Sequence, residues 1–475
     1  MASFVFRIWR RMRCRVTSRL CAALCLAAIC FLLIVKCRRS FGLKRAASLG
    51  QESGEMVSKG RMEILEDDLH GNRTFYPMEG LRQEQRARIQ QLRHECEGKQ
   101  QQLFGLSSAE WAYGRIEVDT RNGYLYCPLL KVGSTFFRRV FYAVREGRKL
   151  HNPYEVSIQR ALAAKREVLT ELLPLTSENS TRFLENSTSI VFVREPFSRL
   201  LSGYTDKLFA PNPYFWGEIG KHIVAQFRPG AGSERGRSVC GHDVTFSEFI
   251  RYVVRSERTN DKRRDAHFTP TYDQCKPCAL NYTVVGKMET FVPDVALTLD
   301  LLGHKVSRER LKTWAHHATA DAILDSTFSP WGWRAGILKC MSWGEALRRI
   351  WRKLQIRGVL LLENSFPWSV GEGLHKGEGF NRAEGQRREP TVKTFTDTVK
   401  RLHEQADPEK LRKQKWSVLA EAYSTVGAED IEALTEIFLP DFRLFQYDPR
   451  PDFIYDHESV AQYRGRDVLF NLNTV

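Results

Sequence analysis

Two short segments of this 475-residue chain combine cations and hydroxyls at the spacing of an anion site, the first with a glycine as well. The first is Leu130–Phe136, "LKVGSTF", which follows an apolar run and enters a helical pattern at once. Backbone N–H groups at such a strand–helix junction point at an anion, and Gly133 permits close approach. Ser134 and Thr135 add hydroxyls and Lys131 adds charge. The order differs from a Walker A loop, which needs Gly-Lys-Ser/Thr after a spaced glycine. The second segment is Arg194–Ser202, "REPFSRLLS". It puts Arg194 at a strand end and Ser202 on the second turn of the next helix, so a guanidinium and a hydroxyl can grip one phosphate from two sides. Either cup alone could be an ordinary strand–helix turn. Two on adjacent strands suit a nucleotide bearing anions at both its 5′ and 3′ ends.

The elements that must carry these cups follow from local pattern. Asn122-Gly123 marks a tight turn, Tyr124–Leu130 reads as a buried strand, and a helix follows from Thr135. The scheme repeats: Ser189–Val193 is rich in strand formers, Pro196 suits a first helical turn, and the helix runs to about Leu208. Strand, short basic loop and helix, twice over, predict an α/β fold: a P-loop-like parallel sheet with helices on both faces and ligands at the carboxyl ends of its strands. Residues 81–103 hold good helix formers and should be helical. Residues 302–414 are less orderly. They include Trp314, Trp331, Trp333, Trp343, Trp351 and Trp368, and a basic helical pattern in "SWGEALRRIWRKLQ". A helix packed on the core is the expectation there, ahead of a membrane- or glycan-facing surface. "GEGLHKGEGF" misses the dinucleotide fingerprint and reads as a solvated loop.

Charge is concentrated at the N-terminus. The formal charge is +16, yet residues 1–45 hold eleven of the 72 basic residues and no acid, which leaves 61 basic against 56 acidic beyond them. A nucleic-acid binder would carry its charge on the body, so that class falls back and no nucleic-acid partner is expected. Leu20–Val35 is an uncharged run flanked by Arg19 and Lys36, with no small-residue cleavage site before "CRRSFGLKR". It reads as an uncleaved transmembrane signal-anchor, short for a span but assisted by tilt and snorkelling arginines. The organisation expected is a cytosolic tail at 1–19, the anchor at 20–35, a stem at 36–115, and a lumenal domain at 116–455 with 302–414 as an insertion. Sequons at Asn72, Asn179, Asn186 and Asn281 fit a lumenal body. So do six cysteines beyond the anchor, Cys96, Cys127, Cys240, Cys275, Cys278 and Cys340, an even set suited to disulfides whose pairing cannot be read from sequence.

With these residues in view, the chain resembles the Golgi carbohydrate sulfotransferases of the chondroitin and dermatan 4-O-sulfotransferase group. In that family a Pro-Lys-Val-Gly/Ala-Cys-Thr-Asn loop binds the 5′-phosphosulfate of 3′-phosphoadenylyl sulfate, and an Arg-Asp-Pro-Phe-x-Arg-Leu-x-Ser segment binds its 3′-phosphate. The likeness carries these roles onto Leu130, Lys131, Val132, Gly133, Ser134, Thr135 and Phe136, and onto Arg194, Glu195, Pro196, Phe197, Ser198, Arg199, Leu200, Leu201 and Ser202. It extends to "DAHFTPTYDQCKPCALNYTVVGKMET" (265–290) and "FLPDFRLFQY" (438–447). Leu130 stands for the family proline, Ser134 for the cysteine, Phe136 for the asparagine, Glu195 for the aspartate and Phe268 for a tryptophan. Lys131, Arg194 and Ser202 are kept.

The resemblance implies a Golgi-membrane, type II enzyme that moves sulfate from 3′-phosphoadenylyl sulfate to a glycosaminoglycan or glycoprotein glycan. The 4-hydroxyl of N-acetylgalactosamine in chondroitin or dermatan is the expected acceptor. Sulfuryl transfer needs a base for the acceptor hydroxyl and cations where charge builds on the leaving phosphate. Lys131 is the candidate for the second role and His267 for the first, with Glu289 in reserve. No metal is required, and Cys275-x-x-Cys278, a single pair, reads as disulfide partners rather than zinc ligands. The rival readings are a glycan-binding protein without catalysis, motivated by Leu130 and Phe136, and a nucleotide-sugar glycosyltransferase. The latter normally wants an Asp-x-Asp metal site, which the chain lacks.

Overall fold

The computed structural model describes residues 75–98, 115–148, 150–172, 177–228, 240–368, 389–456, 461–463 and 469–475. The expected tail and anchor, most of the stem, Asn72 and the "GEGLHKGEGF" segment lie outside them. Among the described residues no helix is long and apolar enough to cross a membrane.

A five-stranded sheet in the order β3-β1-β2-β4-β5 organises the domain. The strands are β1 Glu117–Asp119, β2 Tyr124–Cys127, β3 Glu167–Val168, β4 Thr188–Val193 and β5 Val284–Lys287. β2, β4 and β5 pair in parallel, whereas β1 pairs antiparallel with both β2 and β3. The sheet is therefore mixed, not purely parallel as the two repeated units predicted. The reason is local: Asp119 accepts hydrogen bonds from the Gly123 N–H at 2.9 Å and the Asn122 N–H at 2.8 Å, closing a hairpin that adds an antiparallel edge. β2 is also shorter than predicted, since its hydrogen-bonded run ends at Cys127.

Ten principal helices surround the sheet: α1 Met78–Cys96, α2 Ser134–Arg145, α3 Pro196–Tyr204, α4 Phe246–Arg258, α5 Phe291–Leu301, α6 Arg308–Gly332, α7 Trp343–Ile356, α8 Val392–Gln405, α9 Pro408–Ser424 and α10 Ala428–Leu444. The sheet residues Tyr126, Val191, Phe192 and Val285 share one core with Leu92 of α1, Phe137 and Phe141 of α2, and Leu299 of α5. A second core joins α3, α4, α9 and α10. The 302–414 segment, in its described parts, is more regular than its sequence implied. Trp343, Trp351 and Ile350 of α7 bury with Ile323 of α6 and Phe395 of α8 in a third core, so its tryptophans are mostly packing residues; Trp333 alone of the six is strongly exposed. A bidentate ion pair from Arg139 of α2 to Asp321 of α6, at 2.8 and 2.7 Å, fastens this segment to the sheet domain.

All six expected cysteines form disulfides: Cys96–Cys278, Cys127–Cys275 and Cys240–Cys340. Asn186 and Asn281 are exposed, and Asn179 lies in the helix Ser177–Asn186.

Candidate active site

The first cup sits at the carboxyl end of β2. Gly133 caps α2 at φ +78°, the left-handed region, and a Cβ there would lie 3.0 Å from the Phe291 ring, so glycine is required twice over. Lys131 also has a positive φ, +70°, which costs a non-glycine residue on the order of 1–2 kcal/mol. Backbone strain of this kind gathers at functional sites. Ser134 and Thr135 open the helix, half-buried and exposed respectively. Val132 and Phe136 turn inward instead. Phe136 is packed among Phe137, Tyr154, Phe291 and Trp314, so the position that carries an asparagine in the resembling family here offers only an apolar ring to the core.

The second cup begins at the carboxyl end of β4. The Glu195 carboxylate accepts from the Phe197 N–H at 2.9 Å and the Ser198 N–H at 2.6 Å, with Pro196 in the first turn, and so caps α3. That role explains an acid at 195. Pro196, Phe197, Leu200 and Leu201 are buried packing residues, whereas Arg194, Ser198 and Ser202 are half-buried. Arg194 forms no hydrogen bond or ion pair with any described residue. Burial pulls its guanidinium below its usual range, against the opposing pull of Glu289 and Glu195. A half-buried guanidinium with open donors is the feature an incoming phosphate would satisfy.

Three distant motifs are stitched around these cups. Glu289, beyond β5, accepts from the Glu195 N–H at 3.1 Å and from the Tyr447 hydroxyl at 2.9 Å. Asp441 accepts from the Thr271 and Tyr272 N–H groups at 2.7 and 2.8 Å, and the buried Arg199 donates to the Thr269 carbonyl. Gly203 lets the loop lie close on α3, since a Cβ there would be 2.9 Å from the Phe268 ring. These contacts fix the loop that presents His267. Glu289, the reserve candidate for the base, has both carboxylate oxygens engaged in this framework.

His267 Nδ1 lies 2.5 Å from Asp265 Oδ1, and the same carboxylate oxygen accepts the His267 backbone N–H at 2.8 Å. The ring is half-buried against the Phe215 edge, 5.3 Å between centroids. Burial lowers its pKa below the usual imidazole value; Asp265 opposes the shift, and the charges of Lys207 and Lys131 reinforce it.

Lys131 itself is anchored. Its Nζ is 2.8 Å from Asp206 Oδ2, and Lys353 Nζ of α7 is 2.7 Å from Asp206 Oδ1. Asp206 and Lys207 sit on a π-helical turn, Thr205–Phe209, that continues α3; such turns often mark functional sites. Burial pushes the Lys131 ammonium down to about 8, with Asp206 resisting and Lys207 and Arg357 assisting. Asp265, Asp206, Lys207, Lys353 and Arg357 escaped the sequence reading. The signals were present as an acid two residues before His267, "DK" just past Ser202, a lysine in the basic α7 pattern and an arginine just past its end. None of them is distinctive alone.

Among the described residues no group of acids, histidines and cysteines could hold a metal ion.

Residues 115–329 match the model of the Sulfotransferase family. Among known proteins, the chain is 32% identical over 189 residues to carbohydrate sulfotransferase 9 of Homo sapiens, a match covering 40% of this chain and 41% of that protein. It is 30% identical over 211 residues to carbohydrate sulfotransferase 14 of Danio rerio, covering 44% and 54%. Against carbohydrate sulfotransferase 11 of Mus musculus it is 30% identical over 189 residues, covering 40% and 53%. The chain spans about half the length of the curated relatives it matches, and no solved structure matches it. Both cups and His267 fall inside the matched segment, whereas Lys353, Arg357 and Tyr447 lie beyond it, and over residues 115–329 this chain carries the pattern of the Sulfotransferase family.

Proposed function

We propose that this chain transfers the sulfuryl group of 3′-phosphoadenylyl sulfate to a glycan hydroxyl. The observation that carries the reading is that Lys131 and Arg194 follow the carboxyl ends of two neighbouring parallel strands, β2 and β4, while Asp265 holds the His267 imidazole, on which the charge of Lys131 acts. In this scheme Lys131, Gly133, Ser134 and Thr135 hold the 5′-phosphosulfate, and Arg194 and Ser202 hold the 3′-phosphate. Asp265 accepts a hydrogen bond from the Nδ1–H of His267 and leaves Nε2 free to take the proton from the acceptor hydroxyl. The acceptor oxygen then bonds to sulfur as the bond from sulfur to the phosphate oxygen breaks, and Lys131 meets the charge that remains on phosphate.

The proposed acceptor is the 4-hydroxyl of N-acetylgalactosamine in chondroitin or dermatan, on a chain held in the Golgi lumen by the run at residues 20–35. The similarity to carbohydrate sulfotransferases and the three disulfides support a glycan acceptor and an oxidising compartment. Incubating the full chain with labelled donor and a panel of glycosaminoglycans, followed by disaccharide analysis, tests the reaction and the acceptor together. Label in 4-sulfated N-acetylgalactosamine disaccharides is expected. Label confined to heparan or to the 6-position defeats the acceptor assignment alone, and binding without transfer defeats the enzyme assignment. Protease protection of a C-terminal tag in sealed Golgi vesicles tests the topology.

A further inference from the structure

Asp206 meets more positive charge than it can balance. One carboxylate oxygen takes Lys353 at 2.7 Å, and the other takes Lys131 at 2.8 Å and Lys207 at 3.3 Å. All three ammonium groups are largely withdrawn from water, with side-chain exposures of 7%, 16% and 20%. Arg357, one turn beyond Lys353, adds to the same positive field. Burial works against an ionised Asp206, yet Lys131, Lys353, Lys207 and Arg357 together hold its carboxyl well below the usual range. Sheltered cations in excess of carboxylate are costly unless an anion joins them. Each ammonium has three N–H donors and Asp206 is the one carboxylate that Lys131 and Lys353 meet among the described residues, so both keep donors in reserve.

Lys353 is also out of character with its helix. Ile350, Trp351, Leu354 and Ile356 around it are core residues, and a lysine seldom enters such a face without a task. Asp206 turns it toward the loop that bears Lys131. We propose that Asp206 is a positioning residue that sets Lys131 and Lys353 side by side as a paired cation site, and that Lys353 contacts the 5′-phosphosulfate of the donor. The site is then incomplete within residues 115–329, because α7 from the C-terminal segment supplies its second lysine. This rests on the sulfotransferase reading above.

The test uses the full chain, with adenosine 3′,5′-bisphosphate as the donor-site probe and a desulfated chondroitin oligosaccharide as the acceptor-site probe, each titrated by calorimetry. Lys353→Met should weaken bisphosphate binding at least tenfold and leave oligosaccharide binding and the unfolding temperature near wild type. If Lys353 merely neutralises Asp206, the variant unfolds earlier and binds bisphosphate normally, which overturns the proposal. Weaker oligosaccharide binding alone overturns it too, by moving Lys353 to the acceptor. Should Lys353→Met fail to fold, Lys353→Gln keeps an N–H donor toward Asp206, removes the charge, and carries the same expectation. Asp206→Asn adds a second readout. Lys131 then faces Lys207, Lys353, Arg357 and His267 without its carboxylate, so the alkaline limb of turnover should move to lower pH; an unmoved limb denies Asp206 its role. A wild-type chain that neither binds the bisphosphate nor transfers sulfate removes the sulfotransferase reading itself. Wild-type binding with an unaffected Lys353→Met removes only the assignment of Lys353.

Discussion

His267 and Asp265 form a pair in which one carboxylate oxygen holds both the ring Nδ1, at 2.5 Å, and the backbone N–H of the same histidine, at 2.8 Å. The double hold fixes ring orientation and tautomer together, which is what a general base requires. His267→Ala should therefore lower turnover by about 10²-fold or more, with bisphosphate binding retained. Asp265→Asn should also slow turnover and leave donor KM close to wild type. An active His267→Ala enzyme with an unchanged pH profile would remove the histidine from the chemistry.

The pH profile should be bell-shaped. With His267 as the neutral base of the proposed scheme, and with burial and the nearby lysines lowering its pKa, activity should be lost only as pH falls below the usual imidazole range. Lys131, the cation of that scheme, should lose its proton as pH rises through about 8. The profile of kcat/KM reads these groups in the free enzyme. A bound anionic donor raises Lys131, so the alkaline limb of kcat should lie at higher pH than that of kcat/KM. Coincident limbs would contradict contact between Lys131 and the donor.

Arg194 and Lys131 should separate kinetically. In the proposed scheme the Arg194 guanidinium holds the donor equally before and during transfer. Arg194→Ala should raise donor KM with a smaller effect on kcat, whereas Lys131→Ala should lower kcat by roughly 10²-fold. Initial rates at varied donor concentration decide this.

Gly133→Ala places a Cβ at φ +78° and 3.0 Å from the Phe291 ring. A loss of about 1–2 kcal/mol of stability is expected from the backbone conformation alone, together with weaker bisphosphate binding as the loop shifts. Denaturant unfolding and calorimetry measure the two effects.

The Cys127–Cys275 disulfide ties the strand that leads to Lys131 to the short helix Thr271–Cys275 that follows His267. Replacing both cysteines by serine should cost about 2–4 kcal/mol through the unfolded chain and lower turnover more than the loss of Cys240–Cys340 does. Thermal unfolding and activity of the two double variants check the order.

Much of the scaffold was legible locally. An apolar run before a basic loop and an amphipathic helix requires neighbours only three or four residues away, so the two strand–helix units, Pro196 in a first helical turn and a helix within 81–103 could be read directly, although that helix starts at Met78 and ends at Cys96. Two left-handed positions in the first cup, Gly133 and Lys131, differ in this respect: glycine announces its conformation, and lysine does not. The parity of six cysteines implied disulfides, whereas their pairing waited on partners as far as 182 residues apart in Cys96–Cys278. Phe136 reads as part of a cup, but the aromatic cluster of Phe291 and Trp314 draws it into the core because burying its ring outweighs facing water. Asp206 lies 75 residues from Lys131 and 147 from Lys353. A charge carries no mark of its partner in its own sequence neighbourhood. Packing of α7 against α6 and α8 decides which lysine arrives at that carboxylate, so chain order specifies the cup and tertiary structure completes its charge.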